Sequence, residues 1–286
     1  MPAEQPDFAV ETLLDTPTVI VRDVYCRGRL RHRGDAERAT LTQLVFPYRG
    51  TYVRHLGDDE AVAEANQVLF FNAGESYRVS HPLAGGDASL TVVVGDELIR
   101  DIAPRGLLRD RGPVAFRPQR LRIDARTQVL MALLRHGLRE RVAEPLEAES
   151  LALTLVQRAF GPRTAHAPGA TVARRRLVDR AKLVLGGDVS RRFTLAEIAG
   201  EVGCSPVYLT QVFRQVEGLP LYRYQLRLRL ARALDLLARY DDLTALALDL
   251  GFSSHSHFSS AFRGAYGRSP SEFRHTALRR ASSAAR

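Results

Sequence analysis

Cysteine is scarce: the 286 residues hold two, Cys26 and Cys204, far apart in sequence. Two distant thiols supply neither a disulfide framework nor the paired ligands of a zinc module. Long apolar runs are missing too. Without eighteen consecutive apolar residues, no membrane-spanning helix is expected. The opening residues, MPAEQPDF, lack a basic stretch followed by an apolar one, so a cytoplasmic protein without a secretory leader is expected. There is no G-x-S-x-G turn and no conspicuous pair of carboxylates, which leaves no candidate catalytic residue.

Net charge is missing from one half only. From Ala170 onward the chain carries nineteen basic and ten acidic residues, which is the whole net charge of +9. The preceding residues are balanced at twenty-two of each. An excess confined to one half implies a polyanionic partner for that half alone.

That basic half contains a pattern written twice. In Asp249–Arg274, Phe258, Phe262 and Tyr266 fall at i, i+4 and i+8, one stripe of a helix. Ser256, Ser259, Ser260 and Arg263 fall at i, i+3, i+4 and i+7 on the other face. Upstream, in Thr194–Tyr224, Leu209 and Phe213 stand where Phe258 and Phe262 do. Val207, Thr210, Gln211 and Arg214 repeat the exposed set. Gly203 and Gly251 lie between the helices of each unit, Ser205 and Ser253 are placed as N-caps, and Pro220 and Pro270 close the units. The second copy has one extra residue before its last helix. An aromatic core face opposite a face of short hydrogen-bonding side chains suits a helix laid in the major groove of DNA. Two helix-turn-helix units are therefore expected.

The segments GCSPVYLTQVFRQVEG and LALDLGFSSHSHFSSAFRGAYGRSPSEFR resemble the C-terminal DNA-binding domain of AraC/XylS-type transcriptional regulators. The resemblance covers roughly Arg175–His275. It implies two recognition helices in successive major grooves, held apart by a linker helix over Leu221–Ala238. Leu226, Leu230, Leu234 and Leu237 would form the seam of that helix, with Arg227, Arg229 and Arg232 outside. By position, Val207, Thr210 and Gln211 would meet base edges in the first unit, and His255, Ser256, Ser259 and Ser260 in the second. Gln pairs with adenine in bidentate fashion, while Thr and Val touch a thymine methyl. Serine is ambiguous, and the family often carries a longer polar side chain at the position of Ser260, so the second unit is expected to read sequence permissively. Arg214 and Arg263 would grip phosphates. His255 and His257 have a competing use as caps of the helix.

The first half is β-rich from Thr16 to Glu97, with short segments such as ATLTQLVF, NQVLFF and SLTVVVG cut by turn residues. Such spacing means a small barrel or sandwich. The segment ANQVLFFNAGESYRVSHP resembles the cupin-like sensing domain of many AraC-type regulators. Val129, Leu130, Leu133, Leu134 and Leu138 then mark an amphipathic helix, and Leu151, Leu155, Val156 and Phe160 a second. In the resembling family such helices often dimerise, and packing within the chain is the alternative.

The expected architecture is α+β in two domains: an N-terminal cupin-like β-barrel with trailing helices and a C-terminal all-α domain with two helix-turn-helix units. The boundaries expected are a sensing domain over 1–118, helices over 119–161, a linker over 162–173, the DNA-binding domain over 174–277 and a basic tail over 278–286. Residues 1 to about 15 are expected to be loosely ordered. His55 and His81 are separated, without the His-x-His of metal-binding cupins, so they are expected to be ordinary strand residues and no metal or cofactor is expected. Tyr52, Arg54, Tyr77 and Arg78 are weak candidates for facing an effector in the barrel, with packing roles the stronger expectation for each. Cys26 is expected to pack. The function expected is a sequence-specific, effector-responsive transcription regulator. Its partners would be double-stranded promoter DNA, a small-molecule effector, a second copy of the chain and, for an activator, RNA polymerase. A different class, a cupin-type enzyme tethered to DNA, is the alternative. A barrel that only dimerises is a third.

Overall fold

The computed structural model describes residues 7–161 and 171–275. Most of the expected linker and the basic tail lie outside them. Among the described residues the first half holds ten strands in two sheets: β1 (Phe8–Asp15), β2 (Val19–Cys26), β3 (Glu37–Arg38), β4 (Gln43–Arg49), β5 (Tyr52–Leu56), β6 (Asp59–Ala63), β7 (Gln67–Phe71), β8 (Ser76–Ser80), β9 (Asp87–Val94) and β10 (Arg120–Arg122). Six run in the order β1-β2-β9-β4-β7-β10, and four in the order β3-β8-β5-β6.

The strands alternate their cargo. Leu44, Phe46, Val68, Phe70, Leu90 and Val92 face one core, and helices α2 (Ala125–Arg139) and α3 (Pro145–Ala159) close it with Leu134, Leu155 and Val156. Val45, Leu69 and Phe71 point the other way, onto Tyr52, Ala61 and Ala63 of the smaller sheet. Because both faces of β4, β7 and β9 are covered, these strands read as unbroken apolar runs in sequence. A short helix α1 (Asp96–Ile102) follows β9. The result is the β-rich half-barrel with trailing helices that the sequence leads one to expect.

Two differences concern the ends of the large sheet. Residues 8–15, expected to be loosely ordered, form β1, paired antiparallel with β2 from Phe8↔Cys26 to Asp15↔Ile20. It is an edge strand whose Phe8 and Val10 remain exposed, so its apolar pattern is blurred. At the other edge β10 pairs with β7, which carries the sheet past residue 118.

The second half is all helical: α4 (Val172–Gly187), α5 (Leu195–Val202), α6 (Pro206–Glu217), α7 (Leu221–Leu236), α8 (Leu243–Asp249) and α9 (His255–Tyr266). Two cores divide it. Ile198, Ala199, Leu209, Phe213 and Tyr224 gather around α4 in one. Leu246, Ala247, Phe252, Phe258, Phe262 and Phe273 gather in the other. Helix α7 contributes to both, Leu228 to the first and Leu230 and Leu234 to the second. Its arginines are less free than expected. Arg229 is half-buried and donates to the carbonyls of Val189, Ser190, Arg191 and Gly251, while Arg232 pairs with Asp235. The carbonyls of the loop between α4 and α5 and of the α8–α9 turn need donors, and Arg229 supplies them. Leu226 is only partly buried, and Leu228 takes the place the seam reading gave it.

Helix α2 serves two cores as well. Met131, Leu134 and Leu138 face the barrel side. Val129, Ala132 and Leu133 pack against the second helix-turn-helix core. The face proposed from sequence thus splits between two intramolecular neighbours. Polar contacts reinforce this seam. The carboxylate of Asp235 on α7 receives Arg49 of β4 at 3.0 Å and Arg135 of α2 at 3.1 Å, besides Arg232. Arg120 of β10 meets Asp179 of α4 at 2.7 Å, and the Tyr224 hydroxyl donates to Glu64, which follows β6. Burial alone would raise the Asp235 carboxyl, but the hydrogen bond and charge of Arg49, with Arg135 and Arg232, hold it below the usual range. Among the described residues no helix is long and apolar enough to cross a membrane.

Candidate nucleic-acid interface

Each unit is built by the same local rules. In the first, Thr194 caps α5 in a capping box with Glu197. Helix α5 ends at Gly203 in the left-handed conformation. Ser205 caps α6 by accepting from the Tyr208 amide, Pro206 occupies the first turn, and Gly218 closes the helix, again left-handed. In the second unit Asp242 caps α8 and Gly251 has φ +78° in the turn. The N-cap of α9 is Ser254 and not Ser253. The extra residue of the second copy moves the cap along by one: Ser254 accepts from the His257 amide, while the Ser253 hydroxyl pairs with His257 Nδ1 at 3.1 Å.

The faces separate as the spacing demands. Leu209, Val212, Phe213 and Val216 of α6 are buried, and Val207, Thr210, Gln211 and Arg214 are exposed. On α9, Phe258 and Phe262 are fully buried, and His255, Ser256, Ser260 and Arg263 are exposed. Ser259 departs from the set: it is half-buried and lies 3.3 Å from His255 Nε2. Thr210 returns its hydroxyl to the Pro206 carbonyl at 3.0 Å, so its methyl is the group left to present. His257 is fixed by Ser253 and by an edge contact with Phe252, a capping and shielding arrangement. One exposed residue escaped the sequence reading: Tyr208, beside Val207 at the start of α6, is 43% exposed. Its exposure follows from the same helical phase that exposes Val207.

The weak effector candidates take structural positions. Arg54 is fully buried, donating to the Phe70 carbonyl and to Glu75 with its guanidinium 4.0 Å from the centre of the Phe71 ring. Tyr52 is buried, Tyr77 donates to Glu37, and exposed Arg78 donates to the Gly34 carbonyl. His55 is held between Ser80 and Glu60, and burial lowers its pKa. His81 lies just beyond β8, against Cys26 and Asp87.

Paired capped helices with one buried and one exposed face on a basic domain define a double helix-turn-helix domain. Residues 198–276 match the helix-turn-helix domain family. A crystallised transcriptional regulator from Chromobacterium violaceum, described as carrying an AraC-type DNA-binding domain, is 30% identical; the match covers 37% of this chain and 96% of that one, with a TM-score of 0.35. The chain thus carries, over residues 198–276, a helix-turn-helix domain similar to that of AraC-type regulators. It is also similar to the probable transcriptional regulator LumQ of Photobacterium leiognathi, 29% identical over 160 residues, 53% of this chain and 60% of LumQ. The transcriptional activator RhaR of Klebsiella pneumoniae is 34% identical over 134 residues, 46% of each chain. The chain spans about half the length of the curated relatives it matches.

Proposed function

We propose that this chain is a sequence-specific transcription regulator that binds promoter DNA through α6 and α9 in successive major grooves. The observation carrying this reading is the duplicated exposed face, Val207, Thr210, Gln211 and Arg214 on one helix and Ser256, Ser260 and Arg263 on the other, in the half that holds all the net positive charge. Gln211 is the strongest base reader, able to pair bidentately with adenine. Val207 and the Thr210 methyl suit a thymine methyl, and Arg214 and Arg263 suit phosphates. His255, Ser256 and Ser260 make the weaker reader, because Ser259 is partly engaged with His255.

The half-barrel serves as the responsive part. An effector that favours one arrangement of the two domains would change DNA affinity by its differential binding to the two arrangements. The seam through Asp235, Arg49 and Arg135 is a place where such a shift can act. Activation through RNA polymerase, a homodimer and a cytoplasmic location belong to the same reading.

The test is selection of a random-sequence DNA pool on the full-length chain at several salt concentrations. The expected outcome is a motif in two blocks about one helical turn apart, with affinity falling steeply as salt rises. Salt-sensitive binding without any enriched motif would sink the sequence-specific reading.

A further inference from the structure

Three residues outside the DNA-binding helices converge where the two sheets meet. Cys26 is the last residue of β2, Asp87 is the first of β9, and the two are direct partners in the antiparallel register. His81 is the first residue after β8, so His81 and Asp87 flank the turn of residues 82–86 that crosses from the small sheet to the large one. The thiol, one imidazole nitrogen and one carboxylate oxygen all lie within 4.8 Å of one another. His81 and Asp87 are buried and Cys26 is half-buried, so the cluster is enclosed on one side and reachable on the other.

The polar accounting of this cluster is incomplete. His81 Nδ1 is buried with no hydrogen-bond partner. Asp87 Oδ2 meets His81 Nε2 at 2.8 Å as a buried ion pair. A buried imidazole nitrogen without a partner is costly unless something else satisfies it. We propose that Cys26, His81 and Asp87 form a binding site for a thiophilic divalent metal ion, zinc foremost.

The donor set is right for that ion: one thiolate, one imidazole and one carboxylate, with water as the fourth ligand on the exposed side. Ligands on one tetrahedral zinc stand about 3.5 Å apart, so pairs at the 4.8 Å limit of the cluster would draw in by roughly 1.3 Å while His81 Nε2 and Asp87 Oδ2, now 2.8 Å apart, would open slightly. The surroundings hold the backbone close. Gly86 has φ +69°, and a side chain there would overlap the Cys26 carbonyl; one at Gly50 would overlap the Gly86 carbonyl. Gly28, with φ +67°, packs against Gly86 and His81 and sends its amide to Cys26 Sγ at 3.4 Å. Three backbone segments are thus pressed together around the ligands, which is preorganisation of a site.

The position gives the site a use. The 82–86 turn carries Leu83 to Gly186 and Gly187 at the end of α4, the first helix of the DNA-binding domain. An ion held by both ends of this turn staples the two sheets and braces the turn beneath α4.

Titrating the reduced full-length chain with cobalt(II) tests the site. The expected result is a thiolate-to-cobalt charge-transfer absorption that saturates at one equivalent per chain and is bleached by zinc. It should vanish in Cys26→Ala, persist in Cys204→Ala, and require about tenfold or more cobalt in Asp87→Asn, which keeps the side-chain shape. Zinc should also slow amide hydrogen exchange in residues 82–86 of the wild-type chain. Absence of the band in the wild type, or a band that persists in Cys26→Ala, overturns the proposal, and so does exchange in the turn that ignores zinc. The wild-type readings decide the matter even if a variant fails to fold.

Discussion

Gln211 and Gly251 show how differently single residues matter here. Gln211 is exposed on α6 and supports nothing in the fold. Gln211→Ala should leave the melting temperature unchanged and cost about 1–3 kcal/mol of discrimination at one base pair, read from binding to a panel of single-base operator variants. A loss spread evenly over all sequences would remove Gln211 from the base-reading set. Gly251 has the opposite character. Its φ is +78°, and a side chain there would overlap the Ser190 carbonyl, against which the α8–α9 turn is closed. Gly251→Ala should therefore destabilise the chain by more than the roughly 1 kcal/mol of a left-handed alanine, because the clash adds to the conformational cost. Urea melts check this. The equivalent Gly203 has open space around it, so Gly203→Ala should cost less in the same assay.

Helices record how much of this molecule can be read ahead of its structure. In α9, Phe258 and Phe262 are fully buried, and the Phe262 ring meets those of Phe258, Tyr266 and Phe273 edge-on. Removing one of these rings leaves a cavity in a small core. Phe262→Ala should cost about 3–5 kcal/mol and unfold the second unit first, seen as loss of DNA binding with the barrel's β signal retained in circular dichroism. Spacing alone identified this face, because helical periodicity and a repeated copy are local signals. The cap at Ser254 was misplaced by one residue for a local reason too, since Ser253 and Ser254 are chemically equal candidates. The misread features are all non-local. Leu228 takes a seam position because α7 lies between two cores and not against one. Arg229 is half-buried because distant carbonyls require it. Strand β1 depends on β2 for its existence, and its own sequence FAVETLLD gives little away. The grouping of Cys26, His81 and Asp87 comes only from strand register and one turn; no ligand spacing in sequence announces it.

The whole molecule is held as one piece by polar contacts across its two halves. Asp235 is 8% exposed and receives three arginines, two of them from the barrel half. Removing a buried acid from such a group leaves cations without a counter-charge. Asp235→Ala should split thermal unfolding into two transitions in calorimetry where the wild type shows one; a single unchanged transition would mean that the seam does not couple the domains. Glu64 adds a pH dependence. Burial raises its carboxyl to about 6, against the pull of Lys182 and of hydrogen bonds from Tyr224 and the Asn66 amide. Its ordinary value is 4.5, so between those values the folded chain binds the proton more tightly than the unfolded chain. This contribution is therefore largest at low pH and is lost as pH rises through about 6. From pH 5 to 7.5 the wild type should lose about 1 kcal/mol relative to Glu64→Gln, which carries no titrating group. Denaturant melts at the two pH values decide it, and equal gaps would refute the assignment.

The seam also has an optical consequence. The chain has nine tyrosines and no tryptophan, so its near-ultraviolet emission comes from phenols alone. Three of those phenols are seam members: Tyr48 bonds Asp23 beneath the stacked Arg135, Tyr224 bonds Glu64, and Tyr266 bonds Gln128. A phenol hydrogen-bonded to a carboxylate emits weakly, and Tyr48 and Tyr224 are both so bonded. When the two halves part, the Tyr224–Glu64 bond breaks and that emission recovers. Changes in docking are therefore visible as tyrosine brightening in the unlabelled protein, and a single introduced tryptophan on either half would shine against a dark background.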